Sequence, residues 1–184
     1  MDQGASLYRR YLDGDDEAMV ELIHVYKDGL ILYLNGIAGN LSLAEELMED
    51  TFFKLAAKRP RYSEKSSFKT WLYTIGRNSA LDSMRKSKRI SDIPIEERYD
   101  ISDERDLEQE YLREEQKISL HRAMETLSSD YKQVIYLTFF EEMSNAEAAA
   151  VMKKSRRQIE NLLYRAKLAL KTTLEKEGFE YEGL

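Results

Sequence analysis

Arg156, Arg157 and Gln158 stand in a row just after a tight basic turn, and their side chains carry the chemistry of duplex reading. Arginine forks onto guanine O6 and N7, glutamine onto adenine N6 and N7, and a guanidinium also pairs with phosphate. Their setting is the segment from Ser144 to Lys171, SNAEAAAVMKKSRRQIENLLYRAKLALK. Ser144 with Glu147, and Ser155 with Gln158, each place a hydroxyl N-cap three residues before a side chain able to reach back to the cap N–H. Two helices therefore start eleven residues apart. The first is small and apolar (Ala146, Ala148, Ala149, Val151, Met152), so a neighbour can pack closely, and the second opens on the Arg-Arg-Gln triplet. This is a helix-turn-helix pattern, in which the second helix brings its N-terminal residues to base edges in the major groove. The plain alternative is a four-helix bundle with a basic solvent face. Charge placement argues against it: Ile159, Leu162, Leu163, Ala166, Leu168 and Leu170 keep an inner face apolar, while Arg156, Arg157, Glu160, Asn161, Tyr164, Arg165 and Lys167 point elsewhere.

A second chemistry lies upstream, where Lys58, Arg59, Arg61, Tyr62, Lys65, Phe68, Lys69, Trp71, Tyr73, Arg77, Arg85, Lys86, Lys88 and Arg89 mix cations with rings. Cations follow phosphates and rings stack on bases, a combination suited to single-stranded nucleic acid. Phe68, Trp71 and Ile75 also fit core spacing, so Trp71 is expected to be partly structural, whereas Tyr62, in a loop, is freer to stack. Carboxylates gather at Glu46, Glu49 and Asp50, but nothing beside them completes an acid–base or nucleophile set. The sequence has no cysteine, which excludes disulfides, zinc fingers and thiol chemistry. His24 and His121 are too scattered for a metal site, and no phosphate-binding glycine loop is present. No catalytic residue, cofactor or metal is expected.

Helices must position these groups. Two prolines and eight glycines, separated by long periodic segments, argue for an all-α chain of two small helical domains. Leu7, Tyr8, Tyr11 and Leu12 make an amphipathic turn that ends at Gly14. A helix from about Asp16 to Gly36 carries Met19, Leu22, Ile23, Tyr26, Leu30, Ile31 and Leu34 at three-and-four spacing. Ser42 with Glu45 is expected to cap the next, with Ala44, Met48, Phe52 and Leu55 as its core stripe and Glu46, Glu49, Asp50 and Phe53 left for solvent or a partner. After the loop KRPRYSEKSS, Ser66 or Ser67 caps a helix with Phe68, Trp71, Leu72, Ile75, Leu81 and Met84 that ends in the cluster RKSKR at 85–89. YLTFF at 136–140 reads as buried helix within a longer run capped by Ser129.

The net charge of -6 hides four blocks. Residues 13–50 hold ten acids and one base, 54–89 eleven bases and two acids, 92–115 eleven acids and three bases, and 153–171 seven bases and one acid. Two basic surfaces are thus separated by acidic ones. Residues 1–89 are expected to form one domain, 90–110 an extended acidic linker, and 111–184 a second domain containing the helix-turn-helix. MDQGASLYRR is no signal peptide and no apolar run approaches the roughly eighteen residues of a membrane span, so a cytoplasmic protein without membrane insertion is expected.

The order of parts, acidic helix, basic aromatic helix, acidic linker and helix-turn-helix, resembles the extracytoplasmic-function (ECF) group of bacterial sigma-70 RNA polymerase sigma factors over nearly the whole chain. AEELMEDTFFKL at 44–55 is similar to the family's core-polymerase-binding helix, FKTWLYTIGRNSALDSMRK at 68–86 to its promoter-melting helix, and 144–171 to its fourth-region reader. The resemblance implies a non-enzymatic specificity subunit of core RNA polymerase. Glu46, Leu47, Glu49 and Asp50 would dock on the clamp helices of the polymerase's largest subunit, with the flap as a further contact. Arg59, Arg61, Tyr62, Lys65, Trp71, Arg77, Asn78 and Arg85 would capture the opened minus-ten element of promoter DNA, a flipped base among them. Lys153, Lys154, Ser155, Arg156, Arg157, Gln158, Asn161 and Arg165 would read the minus-thirty-five element as duplex. An anti-sigma factor is a further implied partner. Lys153 and Lys154 depart from the family by filling a turn where a glycine and an apolar residue are common, and Glu160 takes a position often basic. Two other readings stay open: a dimeric helix-turn-helix regulator that needs no polymerase and no aromatic basic loop, and a helical scaffold, which would show no salt-dependent DNA binding.

Overall fold

The computed structural model describes residues 2–90, 120 and 122–176. The regular elements among these are helical: α1 (Gln3–Leu12), α2 (Asp16–Ala38), α3 (Leu41–Lys58), α4 (Phe68–Ile90), α5 (Ser129–Ile135) continued by a π-helical turn (Tyr136–Phe140), α6 (Asn145–Met152) and α7 (Arg156–Lys176). A helical turn at 122–125 precedes α5. The expected linker beyond Ile90 and the expected helix start near Tyr111 lie outside the described residues.

Local signals set the boundaries. Gly39 takes the left-handed conformation at φ 66°, and its N–H donates to the Asn35 carbonyl, closing α2. Asn40 then opens α3, its Oδ1 accepting from Leu43 N–H at 2.8 Å, so the cap lies two residues before the expected Ser42. Ser67 heads α4, with its Oγ accepting from Thr70 N–H at 3.2 Å. Ser128 rather than Ser129 is the N-cap residue of α5, and the Ser129 hydroxyl instead donates to the Gly36 carbonyl of α2 at 3.2 Å.

The two helical units press against one another. Tyr8, Leu22, Leu30, Tyr33, Leu34, Leu55, Phe68, Leu72 and Tyr73 are fully buried in the first, Leu137, Met152 and Ile159 in the second, and one apolar cluster runs through both. α5 lies on α2, and α6 lies on α4. Tyr33 bridges the seam, with ring centroids 5.3 Å from Tyr73 and 6.4 Å from Tyr136. Gly29 permits the closest approach there, because a Cβ would collide with the Glu141 carboxylate and the Tyr73 hydroxyl.

YLTFF is helical but not buried as expected. Glu141 N–H donates to the Tyr136 carbonyl at 3.1 Å, five residues back, and this wider turn leaves Phe139 and Phe140 50% and 47% exposed, with Leu137 alone fully inward. No helix among the described residues is long and apolar enough to cross a membrane.

Candidate nucleic-acid interface

Both capping boxes of the helix-turn-helix form. Ser144 N–H donates to Glu147 Oε2 at 3.0 Å, and Glu147 N–H to Ser144 Oγ at 3.3 Å. Ser155 N–H donates to Gln158 Oε1 at 2.7 Å, and Gln158 N–H to Ser155 Oγ at 3.2 Å. Between them Lys153 adopts the left-handed conformation at φ 53°, and Lys154 N–H donates to the Ala149 carbonyl at 3.0 Å. The lysine thus makes the turn a glycine makes more cheaply, at a cost of about 1–2 kcal/mol. Lys154 also ion-pairs with Asp130 at 3.0 Å, which ties the turn to α5.

These commitments sort the expected duplex readers. Ser155 and Gln158 serve the cap, Lys154 the Asp130 pair, and Arg156 a pair with Glu160 at 2.9 Å. Lys153, Arg157, Asn161 and Arg165 are exposed and carry no side-chain hydrogen bond or ion pair among the described residues. Arg157, Asn161 and Arg165 recur every fourth residue and so share one face of α7. Tyr164, 71% exposed, joins that face, a role that its spacing of seven from Arg157 could have signalled. Leu168, expected inward, is 55% exposed on the same side, because it falls eleven residues after Arg157.

On α4, Trp71, Asn78 and Arg85 repeat every seven residues and form one outer stripe about 21 Å long. Arg85 is exposed beside Asp82, whereas Trp71 and Asn78 are half-buried. Trp71 packs against Tyr8 and Tyr62, with centroids 5.3 and 5.1 Å away, so it is partly structural as expected. Tyr62 is less free than expected. Its ring meets Phe68 edge-on at 5.6 Å, and its hydroxyl donates to the Ser66 carbonyl at 2.5 Å. The loop itself is pinned by α1, since Tyr8 donates to the Pro60 carbonyl at 2.8 Å and Arg59 lies 5.0 Å over the Tyr11 ring. Arg59, Arg61 and Lys65 remain exposed along it.

Two expected site residues are corrected. Arg77 does not lie on the open basic surface: it is 8% exposed, and its Nε donates to Gln133 Oε1 of α5 at 2.9 Å. Leu47, placed with the docking carboxylates, is 3% exposed, because α3 packs against both α2 and α4 and its inner stripe is Ala44, Leu47, Thr51 and Leu55. Glu46, Glu49, Asp50 and Phe53 do line the outer face, with Phe53 69% exposed among the acids.

The seam between the units is polar as well as apolar. Gln133 Oε1 accepts from Tyr33 at 3.3 Å in addition to Arg77, and Lys69 ion-pairs with Glu141 at 2.8 Å. Ser67 and Thr70 at the head of α4 donate to Glu147 Oε1 at 3.0 and 3.4 Å. Burial works against a charged Glu147, but these bonds and those from Ser144 outweigh it and hold the carboxyl below its ordinary value. Burial raises the Tyr33 hydroxyl despite the opposing pull of Arg77, and burial with the nearby Glu141 raises Tyr73 far above the tyrosine range.

Comparison with known proteins matches these two units separately. The model "Sigma-70 region 2" matches residues 22–90, and "Sigma-70, region 4" matches residues 117–170, together more than half of the chain. The ECF RNA polymerase sigma factor BldN of Streptomyces coelicolor is 28% identical over 87% of this chain, which spans 61% of that longer protein. The RNA polymerase sigma factor YlaC of Bacillus subtilis is 26% identical over 89% of this chain and 96% of its own length. Among solved structures, the sigma factor RpoE in complex with the anti-sigma factor NepR from Bartonella quintana superposes with a TM-score of 0.68 at 26% identity, covering 84% of this chain and 95% of that one. With both regions matched in order on an all-helical frame, the chain belongs to the sigma-70 family of RNA polymerase sigma factors, in its ECF group.

Proposed function

We propose that this sigma factor docks on core RNA polymerase through the outer face of α3, reads the minus-thirty-five element as duplex with α7, and captures the melted minus-ten element with the loop 59–67 and the outer stripe of α4. On this reading residues 1–89 form the polymerase and minus-ten unit, 90–110 the tether, and 111–184 the minus-thirty-five unit. The observation that carries the proposal is the pairing, on one chain, of an exposed acidic face with a capped helix-turn-helix that leaves Arg157, Asn161 and Arg165 outward. Glu46, Glu49 and Asp50 supply complementary charge for a basic partner, and Phe53 an apolar anchor among them.

The described arrangement is a closed form of such a protein. Promoter elements named for positions about 25 base pairs apart lie about 85 Å apart along B-form DNA. Here α4 and α6 touch, and Arg77 is held by α5. Reading both elements at once therefore requires the seam to part. The complexed state of the RpoE relative supports an anti-sigma factor as the partner that binds this chain when it is not on polymerase.

The docking face has a direct test. Replacing Glu46, Glu49 and Asp50 by lysine in the full chain should abolish binding to core polymerase while leaving duplex minus-thirty-five binding intact. Retained association of the triple variant with core polymerase would reject this face as the docking site.

A further inference from the structure

Glu160 is the one acid in a run, residues 153–171, that otherwise carries seven bases. It is exposed on α7, one turn beyond Arg156, and its Oε1 accepts from Arg156 Nε at 2.9 Å. An acid here is unfavourable on a surface whose only task is to attract phosphate, since it cancels a positive charge and repels the backbone. Gripping the Nε edge of an arginine accomplishes something different. It restricts a long side chain before DNA arrives, and it leaves the Nη1 and Nη2 donors uncommitted among the described residues. Two such donors match guanine O6 and N7 in the major groove. Arg156 is also the first residue of α7, and the first turn of a recognition helix is where base edges are met.

We propose that Glu160 is a positioning residue for promoter choice: it holds Arg156 in the orientation that reads a guanine of the duplex element, at the expense of total affinity. This rests on duplex reading by α7. Arg157 has no such carboxylate partner among the described residues and is left to adjust to whichever base or phosphate it meets. Discrimination and affinity then respond to Glu160 with opposite signs, which a merely helix-stabilising ion pair would not produce.

The experiment is selection from a randomised duplex minus-thirty-five library by the full-length wild type, Arg156→Ala, Glu160→Ala and Glu160→Gln, with salt titrations on one non-specific duplex. The wild type should show a guanine preference that Arg156→Ala and Glu160→Ala both reduce about tenfold at the same base position. Glu160→Ala should also bind the non-specific duplex more tightly and with a steeper salt slope, whereas Glu160→Gln should retain part of the guanine preference, because its amide oxygen still accepts from Nε. Loss of the guanine preference in Arg156→Ala with full retention in Glu160→Ala would overturn the proposal. So would loss of a cytosine preference in Glu160→Ala, which would make Glu160 a direct reader. A wild type without any base preference would instead remove duplex reading itself, a separate failure.

Discussion

Gln133 is the polar hub of the seam, and its replacement by leucine gives a quantitative test of the closed form. The substitution nearly preserves volume, so its effect comes from hydrogen bonding rather than from a cavity. It removes the acceptor of Arg77 Nε at 2.9 Å and of the Tyr33 hydroxyl at 3.3 Å, both in a site where Gln133 is 2% and Arg77 8% exposed. A bond from a charged donor contributes about 1.5–3 kcal/mol and a neutral one about 0.5–1.5, so the closed form should lose roughly 2–4 kcal/mol. That loss shifts the opening equilibrium by about 30- to 1000-fold. The absence of cysteine simplifies the assay, because a cysteine pair introduced at the exposed Val20 of α2 and Thr172 of α7 can be labelled uniquely with a donor and an acceptor. Gln133→Leu should convert a narrow distance population into a broader one displaced from it, while the helical signal of the N-terminal unit persists. An unchanged distance distribution, with an unchanged melting curve, would refute the reasoning that these bonds hold the units together.

Other outcomes follow from the same contacts. Arg157→Ala should weaken duplex promoter binding by about 1–3 kcal/mol if it contacts a base, with the largest loss at one base pair; equal binding to matched and mutated promoter would dismiss Arg157 as a reader. Burial raises the hydroxyls of Tyr33, Tyr73 and Tyr136, and pushes Tyr8 and Tyr26 up to about 12, so their neutral forms favour folding below the ordinary tyrosine value of 10.0 and that contribution is lost as pH rises through the folded values. Tyrosinate absorbance of these five, among twelve tyrosines, should appear only as the helical signal is lost; titration of all twelve near the ordinary value with helices intact would contradict the packing. The lowered Glu147 carboxyl contributes stability above its ordinary value of 4.5 that disappears as pH falls through the folded value. The melting-temperature gap between wild type and Glu147→Gln should therefore close on acidification, and a gap independent of pH would count against the bonds from Ser67, Thr70 and Ser144.

The capping boxes at Ser144 and Ser155 were legible in the sequence because each is complete within four residues and needs no tertiary partner. The outward Phe53 and acids of α3 were legible for a similar reason, since helical periodicity alone separates them from Ala44, Phe52 and Leu55. Leu47 was misplaced because Leu47 and Met48 both fit that periodicity, and only the presence of α2 on one side and α4 on the other widens the inner stripe to include Leu47. Arg77 could not be placed from sequence, because the group that holds it, Gln133, is 56 residues away. Tyr62 was misjudged on the same ground: a loop tyrosine looks free until α1 folds back and pins the loop through Tyr8 and Pro60. The half-exposed Phe139 and Phe140 follow from the five-residue hydrogen bonding of the π-helical turn, which periodicity cannot reveal.

Multi-round transcription from a library of randomised promoters, with purified core polymerase and with or without the protein, tests whether this chain makes RNA polymerase start at particular promoters. Specific initiation that appears only with the protein, from templates sharing two separated sequence elements, is the predicted result. Duplex binding without any protein-dependent initiation on a cognate core would contradict it and leave a regulator that acts without polymerase.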